Sequence, residues 1–169
     1  MATRPTYMAV QGAALIVGTV FLVIGIFGFV PGATRHYELL DWAGQHSGAK
    51  LFGVFLVSGL TNALHLATGA LGIIFARTYA ASRAYLLLGG LGYAGLWAYG
   101  LIVDETNAQN ILPISAANNW LNFGCAVLML LLGVTLGAQH DPTKPRGKLP
   151  HYTPRADRKA KRASGSQLG

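Results

Sequence analysis

The segment VSGLTNALHLATGALG, from Val57 to Gly72, carries polar side chains at regular intervals within a long apolar run. On an α-helix, residues spaced by three, four or seven positions share one face, so these side chains form a single stripe opposite an apolar face. The stripe consists of Ser58, Thr61, Asn62, His65, Thr68, Gly69 and Gly72. Helices in a bilayer associate through small residues and interhelical hydrogen bonds, because lipid is as apolar as leucine. The pattern therefore predicts a membrane-spanning helix whose stripe faces other helices.

The composition of the whole chain favours the same environment. Of its 169 residues, 52% are hydrophobic and 11% are charged, whereas a soluble domain carries about 25% charged residues. The alternative is a soluble helical protein, which is disfavoured because such long charge-poor stretches would need a far larger soluble shell. Cys125 is the single cysteine, so an intrachain disulfide is excluded.

Four apolar stretches are long enough to span a membrane, since about 20 residues cross the hydrocarbon. They cover residues 8–30, 52–76, 84–103 and 116–138. The predicted fold is all-α: an integral membrane four-helix bundle over residues 1–138, followed by a disordered basic cytoplasmic tail over residues 139–169. Both termini are predicted to be cytoplasmic, because Arg4, Arg77, Arg83 and the tail cations fall on one side of the spans. The predicted location is the bacterial inner (plasma) membrane.

The net charge of +7 comes mainly from the tail. Its cations are Lys144, Arg146, Lys148, Arg155, Arg158, Lys159, Lys161 and Arg162. The expected partner of the tail is the anionic cytoplasmic leaflet, at about 1 kcal/mol per basic residue near the surface. Nucleic acid is not predicted as a partner, because the tail lacks an aromatic platform or a nucleic-acid-binding fold.

Two sets of residues within the spans are candidates for a role. The predicted polar intramembrane cluster consists of Ser58, Thr61, Asn62, His65, Asn118 and Asn122, with Ser58 and Thr61 facing Asn118 and Asn122. His65 is expected roughly 20 Å below the outer end of span two. A neutral, hydrogen-bonded histidine is favoured there over a proton, ligand or metal role. The glycines predicted to mediate helix packing are Gly18, Gly25, Gly28, Gly69, Gly72, Gly133 and Gly137.

No catalytic, cofactor or metal site is predicted, and the chain is not expected to be an enzyme. The glycines lie inside apolar spans without the Lys-Ser/Thr pair of a phosphate-binding loop. An outer loop contains His36, Glu38, Asp41 and His46, whose spacing matches no recognised cation site, so a solvated polar rim is favoured.

Four sequence segments resemble a bacterial four-span membrane family known as domain of unknown function 4383. They are FLVIGIFGFVPGAT (21–34), TNALHLATGALGIIFAR (61–77), GGLGYAGLWAYGL (89–101) and LPISAANNWLN (112–122). The resemblance runs from about Gly12 to Gly137 and implies four spans with no assigned activity. It also implies a polar pattern that Asn62 and His65 fit, while Ser58, Thr61 and Asn122 place neutral groups where relatives carry stronger ones. These departures weaken a metal or proton-relay role.

The leading functional prediction is a non-enzymatic structural or accessory subunit of a membrane assembly, within a larger complex or a homo-oligomer. The alternative is a small-molecule or ion carrier with a polar pocket between spans two and four. Asn62, His65, Asn118 and Asn122 would line that pocket.

Overall fold

The computed structural model describes residues 8–44, 46–103 and 111–138, and over these ranges the chain is mostly helical. The helices are α1 (Ala9–Phe27), α2 (Gly59–Phe75), α3 (Tyr79–Ile102) and α4 (Ala116–Thr135). Short 3-10 helices lie at Tyr37–Leu39 and Leu136–Ala138. The tail that the sequence predicts over 139–169 lies outside the described residues.

Three of the helices are long and apolar enough to cross a membrane by length and composition, namely α1, α3 and α4. α2 is also apolar but has 17 residues, which gives it a length of about 25 Å.

The helices pack as two antiparallel pairs, α1 with α2 and α3 with α4, and α1 also packs on α3. Gln11 Nε2 at the start of α1 donates to the carbonyls of Ala76 (3.1 Å) and Arg77 (2.9 Å), just after α2. The hydroxyl of Tyr79, the first residue of α3, donates to the carbonyl of Gly137 at 2.6 Å. These bonds join the two helices of each pair at the same end of the molecule, which we call the tail end. Direct packing of α2 against α4 is slight.

A small antiparallel sheet lies at the opposite end, which we call the sheet end. Its strands are β1 (Thr34–Arg35), β2 (Lys50–Leu51) and β3 (Phe55–Leu56), in the order β1-β2-β3. The sequence predicts only helices, with residues 52–76 as one span, and the sheet corrects this prediction. Phe52 and Gly53 have φ angles of 50° and 75°, which make a tight hairpin turn and prevent the helix from starting there.

α2 begins seven residues later than expected because Ser58 caps it. The Ser58 side chain accepts a hydrogen bond from the Thr61 N–H at 3.1 Å, the usual arrangement at a helix start. Thr78 and Ser115 cap α3 and α4 in the same way. The late start also shortens the distance from the beginning of the helix to His65. This distance is about 9 Å, whereas the sequence predicts roughly 20 Å from the beginning of the span.

The surface of the described helices is largely apolar, and several polar side chains are buried between them. Ile16 is 65% exposed and Leu88 is 67% exposed, whereas Asn62 and Ser82 are fully buried. A soluble helix shows the opposite distribution, with its apolar stripe turned inward. The outer surface of the described helices is therefore apolar enough to suit lipid.

Candidate functional site

The polar stripe of α2 faces the interior of the bundle. Ser58, Asn62, His65, Gly69 and Gly72 are buried, and Thr61 and Thr68 are partly buried. The opposite face is exposed and carries Leu64, Ala67, Leu71 and Ile74. α2 therefore presents its polar groups to the protein and its apolar groups to the surroundings.

A small cavity lies between α2, α3, the start of α4 and residues 112–114. Its polar lining comes from Thr61, His65, Tyr93, Asn118 and Asn122, and its volume is about 40 Å³. Pockets for drug-sized ligands occupy about 300–1,000 Å³, whereas a water needs only 10–15 Å³ of such space. The cavity can therefore hold a few water molecules but not an organic substrate.

His65 is held in this cavity wall by aromatic stacking. Its ring lies 5.7 Å from the ring of Phe21 with an interplanar angle of 16°, and Phe21 stacks in turn on Tyr93 at 4.9 Å. The side chain is 9% exposed, and its Nδ1 has no hydrogen-bond partner in the described ranges. Three helices thus meet through stacked rings at this point.

Asn62 does not join His65 in the cavity. Its fully buried carboxamide lies against Gly28 at the end of α1, so closely that a Cβ added to Gly28 would collide with it. Neither Nδ2 nor Oδ1 has a hydrogen-bond partner among the described residues. The structure therefore places Asn62 in the α1–α2 contact.

Asn118 connects α4 to the sheet. Its Oδ1 accepts from the Leu56 N–H at 2.9 Å and its Nδ2 donates to the Leu56 carbonyl at 2.8 Å. The amide thus satisfies both backbone groups of one residue in the edge strand β3. Ser58 instead pairs with Thr61, at 3.0 Å between the hydroxyl oxygens. The six predicted cluster residues are therefore divided: Thr61, His65, Asn118 and Asn122 share the cavity, whereas Ser58 caps α2 and Asn62 faces α1.

The predicted packing glycines lie at close helix contacts. A Cβ added to Gly18 would stand 2.9 Å from the Gly69 carbonyl oxygen and 2.9 Å from Gly72 Cα. The remaining contacts join Gly25 to Leu66, Gly133 to Leu87 and Gly137 to Arg83. These approaches let the backbones of α1 and α2, and of α3 and α4, come together.

Three features were missed by sequence reasoning. The first is the pair of hydrogen bonds that Gln11 donates to the residues just after α2. Gln11 lies seven positions before Gly18 on the same helix face, and this spacing could have indicated its role. Ser82 is fully buried and donates to the carbonyls of Phe75 (3.0 Å) and Thr78 (2.8 Å). A second cavity of about 310 Å³ lies between the sheet ends of α3 and α4, lined by Trp97, Gly100, Leu101, Ile114, Ser115, Ala116, Asn119 and Trp120.

Between α1 and β2, His36 Nδ1 lies 3.6 Å from Glu38 Oε1, and both side chains are exposed. Over residues 8–44, 46–103 and 111–138, no three histidine, cysteine or acidic residues are grouped so that they could hold a metal ion.

Comparison with known proteins gives one match. The family model described as "Domain of unknown function (DUF4383)" covers residues 11–135, from the first turn of α1 to the last residue of α4. No curated protein and no solved structure matches the chain. The inward polar stripe and every glycine contact described above except that of Gly137 lie inside the matched range, and the chain belongs to the DUF4383 family.

Proposed function

We propose that this protein is a four-span protein of the bacterial inner membrane and acts as a non-enzymatic structural or accessory subunit of a membrane assembly. The main supporting observation is that buried polar groups of α2 and α4 serve the packing and capping of the protein itself. Asn62 packs on Gly28, Ser58 caps α2, and Asn118 pairs with β3. These three buried polar residues thus have structural roles that need no substrate.

The proposed topology places both termini in the cytoplasm. Arg77 lies at the tail end, and the side chain of Arg83 lies against Gly137, near the end of α4. This is the end from which the basic C-terminal segment continues. α2 is somewhat short for a span, and local bilayer thinning accommodates a mismatch of a few ångströms at modest cost.

The partners of such a subunit would contact its apolar faces. All four helices carry exposed large apolar side chains, among them Ile16, Leu71, Leu88 and Leu131. We propose that part of this surface meets lipid and part meets a larger membrane complex or a second copy of the chain. The tail would lie on the anionic cytoplasmic leaflet.

A second candidate, a small-molecule or ion carrier, is favoured by one observation. Thr61, His65, Asn118 and Asn122 converge on the cavity between α2 and α4. Its volume of about 40 Å³ restricts the cargo to water or a small ion in this conformation. The glycine contacts of Gly18 also oppose sliding of α1 past α2.

The two candidates differ in the effect of replacing His65. Tagged full-length protein would be extracted in a gentle detergent, and its mass and composition would be measured by light scattering and mass spectrometry. The accessory role predicts a partner or second copy at a fixed ratio, retained by His65→Leu. A lone monomer would contradict the accessory role. The carrier role predicts instead that His65→Ala abolishes transport and leaves assembly intact.

The topology has its own test, in a Cys125→Ala background. A membrane-impermeant maleimide applied to intact spheroplasts should label Glu38→Cys, and should label Arg77→Cys only after permeabilisation. Labelling of both positions in intact spheroplasts would contradict the proposed topology.

A further inference from the structure

Two cations face each other across the first two strands of the sheet. The register pairs Arg35 with Lys50, and both are exposed, whereas Thr34 and Leu51 are buried on the other face. Like charges directly opposite each other destabilise a sheet. Within the described ranges neither side chain has an ion-pair partner. An anion bound between the two side chains would remove this repulsion.

The hairpin next to these cations has an apolar tip. Phe52 is 56% exposed and Val54 is 54% exposed. Phe52 also adopts a φ of 50°, a conformation that is rare for a bulky residue. A strained turn that presents two large apolar side chains to its surroundings is better suited to lipid than to water.

The tip is continuous with the apolar surface of α1. The Phe52 ring meets the ring of Phe27, the last residue of α1, edge-on at 6.0 Å and 80°. Phe27 is itself exposed, as are Val23 and Ile26 along the same helix. If α1 is in the bilayer, the hairpin tip therefore lies at the level where the hydrocarbon ends.

Arg35 reaches this tip. A Cβ built on Gly53 would lie 3.1 Å from Arg35 Cδ and 3.3 Å from its Nε. The guanidinium group is thus packed beside the turn, at the boundary between the apolar tip and the polar strands. Guanidinium is well matched to phosphate, because its planar N–H groups can form paired hydrogen bonds.

We propose that Arg35 and Lys50 bind the phosphate of an anionic phospholipid in the leaflet at the sheet end, with its acyl chains against Phe52, Val54 and Phe27. The cations supply the charge complementarity, and the apolar tip selects a lipid over free phosphate. This site rests on the membrane placement proposed above.

Thermal unfolding of the full-length protein in a neutral, lipid-free detergent tests the site. Added phosphatidylglycerol should raise the Tm of the wild type, because a ligand that binds only the folded state stabilises it. Arg35→Gln/Lys50→Gln should lower the apparent lipid affinity by about tenfold or more, and its Tm without lipid should equal or exceed that of the wild type. The matched control Arg77→Gln/Arg83→Gln removes the same charge from the tail end and should keep the lipid-induced shift.

Several outcomes would overturn the proposal. An undiminished phosphatidylglycerol shift in Arg35→Gln/Lys50→Gln would exclude the two cations as the site. Equal shifts of the wild type with phosphatidylcholine would exclude a requirement for an anion, and equal shifts with inorganic phosphate would exclude a lipid ligand. Lys50→Arg keeps the charge and should retain the shift, so a loss in this variant would also contradict the assignment.

The position of the tip has a separate readout. In a Cys125→Ala background, a nitroxide at Val54→Cys in phosphatidylglycerol vesicles should collide more with oxygen than with a water-soluble nickel chelate. A nitroxide at Glu38→Cys should show the reverse, and greater nickel access at position 54 would overturn the proposed insertion. Resistance of the wild type to alkaline carbonate extraction tests the membrane placement independently, so failure of the two proposals can be distinguished.

Discussion

The carboxamide of Asn62 lies directly against Gly28, which joins the second helix to the end of the first. Asn62 is fully buried and its amide has no hydrogen-bond partner in the described ranges. The contact therefore depends on the close fit of the carboxamide against the Gly28 backbone. A residue without a side chain is needed at position 28 for this reason.

Gly28→Ala should therefore destabilise the protein by about 1–3 kcal/mol, the usual cost of overpacking. Asn62→Ala should cost less than a typical buried asparagine substitution, because no hydrogen bond is lost. The double variant should recover most of the loss from Gly28→Ala. Thermal unfolding of all four proteins in one detergent measures this coupling, and strictly additive effects would contradict the contact.

Gly18→Ala should be more damaging, since the added methyl group would meet the backbone of Gly69 and Gly72 rather than a side chain. We expect a loss at the upper end of about 1–3 kcal/mol. Gly12→Ala, in the same helix, is the matched control because nothing lies within 4 Å of its added Cβ. It should leave the Tm unchanged or raise it, because alanine favours a helix over glycine by about 1 kcal/mol. Equal losses in both variants would contradict the assigned packing role of Gly18, because helix propensity favours alanine at both positions.

Asn118→Ala should release the edge strand β3 from α4. It removes two hydrogen bonds to Leu56, and a buried backbone group without a partner costs about 1–3 kcal/mol. Hydrogen exchange of the Leu56 amide should accelerate more than exchange in the middle of α3. Asn122→Ala changes the same cavity wall and should leave Leu56 protected. Unchanged exchange in Asn118→Ala would refute this role.

Gln11→Leu should loosen the tail end of the first helix pair. The substitution keeps much of the side-chain volume but removes the donor that serves the carbonyls of Ala76 and Arg77. A loss of about 1–3 kcal/mol is expected for unpairing buried acceptors. Thr19→Val is a suitable control, because the Thr19 hydroxyl bonds only within its own helix, to the Leu15 carbonyl at 2.8 Å. Equal Tm values for Gln11→Leu and the wild type would contradict the assigned role.

Local periodicity predicted the features that depend on a single helix. The spacing from Ser58 to Gly72 places the stripe on one face of a helix whatever lies around it. The hairpin at residues 50–56 could not be recognised in this way. Its sequence, KLFGVFL, is as apolar as a span, and its turn depends on an unusual conformation of Phe52.

Long-range partners were the least predictable part of the candidate site. Asn62 and His65 are three positions apart on one stripe, yet one faces α1 and the other faces the cavity. This division is set by the rotation of α2 between two neighbours, which its own sequence does not determine. Asn118 was expected to meet side chains, but it pairs with the backbone of a strand whose existence was not predicted.

The pairing of each helix with its neighbour in the chain bears on how the protein is made. When translation has passed Arg77, the ribosome has already delivered both members of the first pair, including the Gln11 donor and the two carbonyls that it joins. The first pair can therefore close while α3 and α4 are still being synthesised, as domains do when they fold in order of synthesis. The second pair then packs beside a completed surface, on which the Phe21 ring is already in place for Tyr93 to stack on.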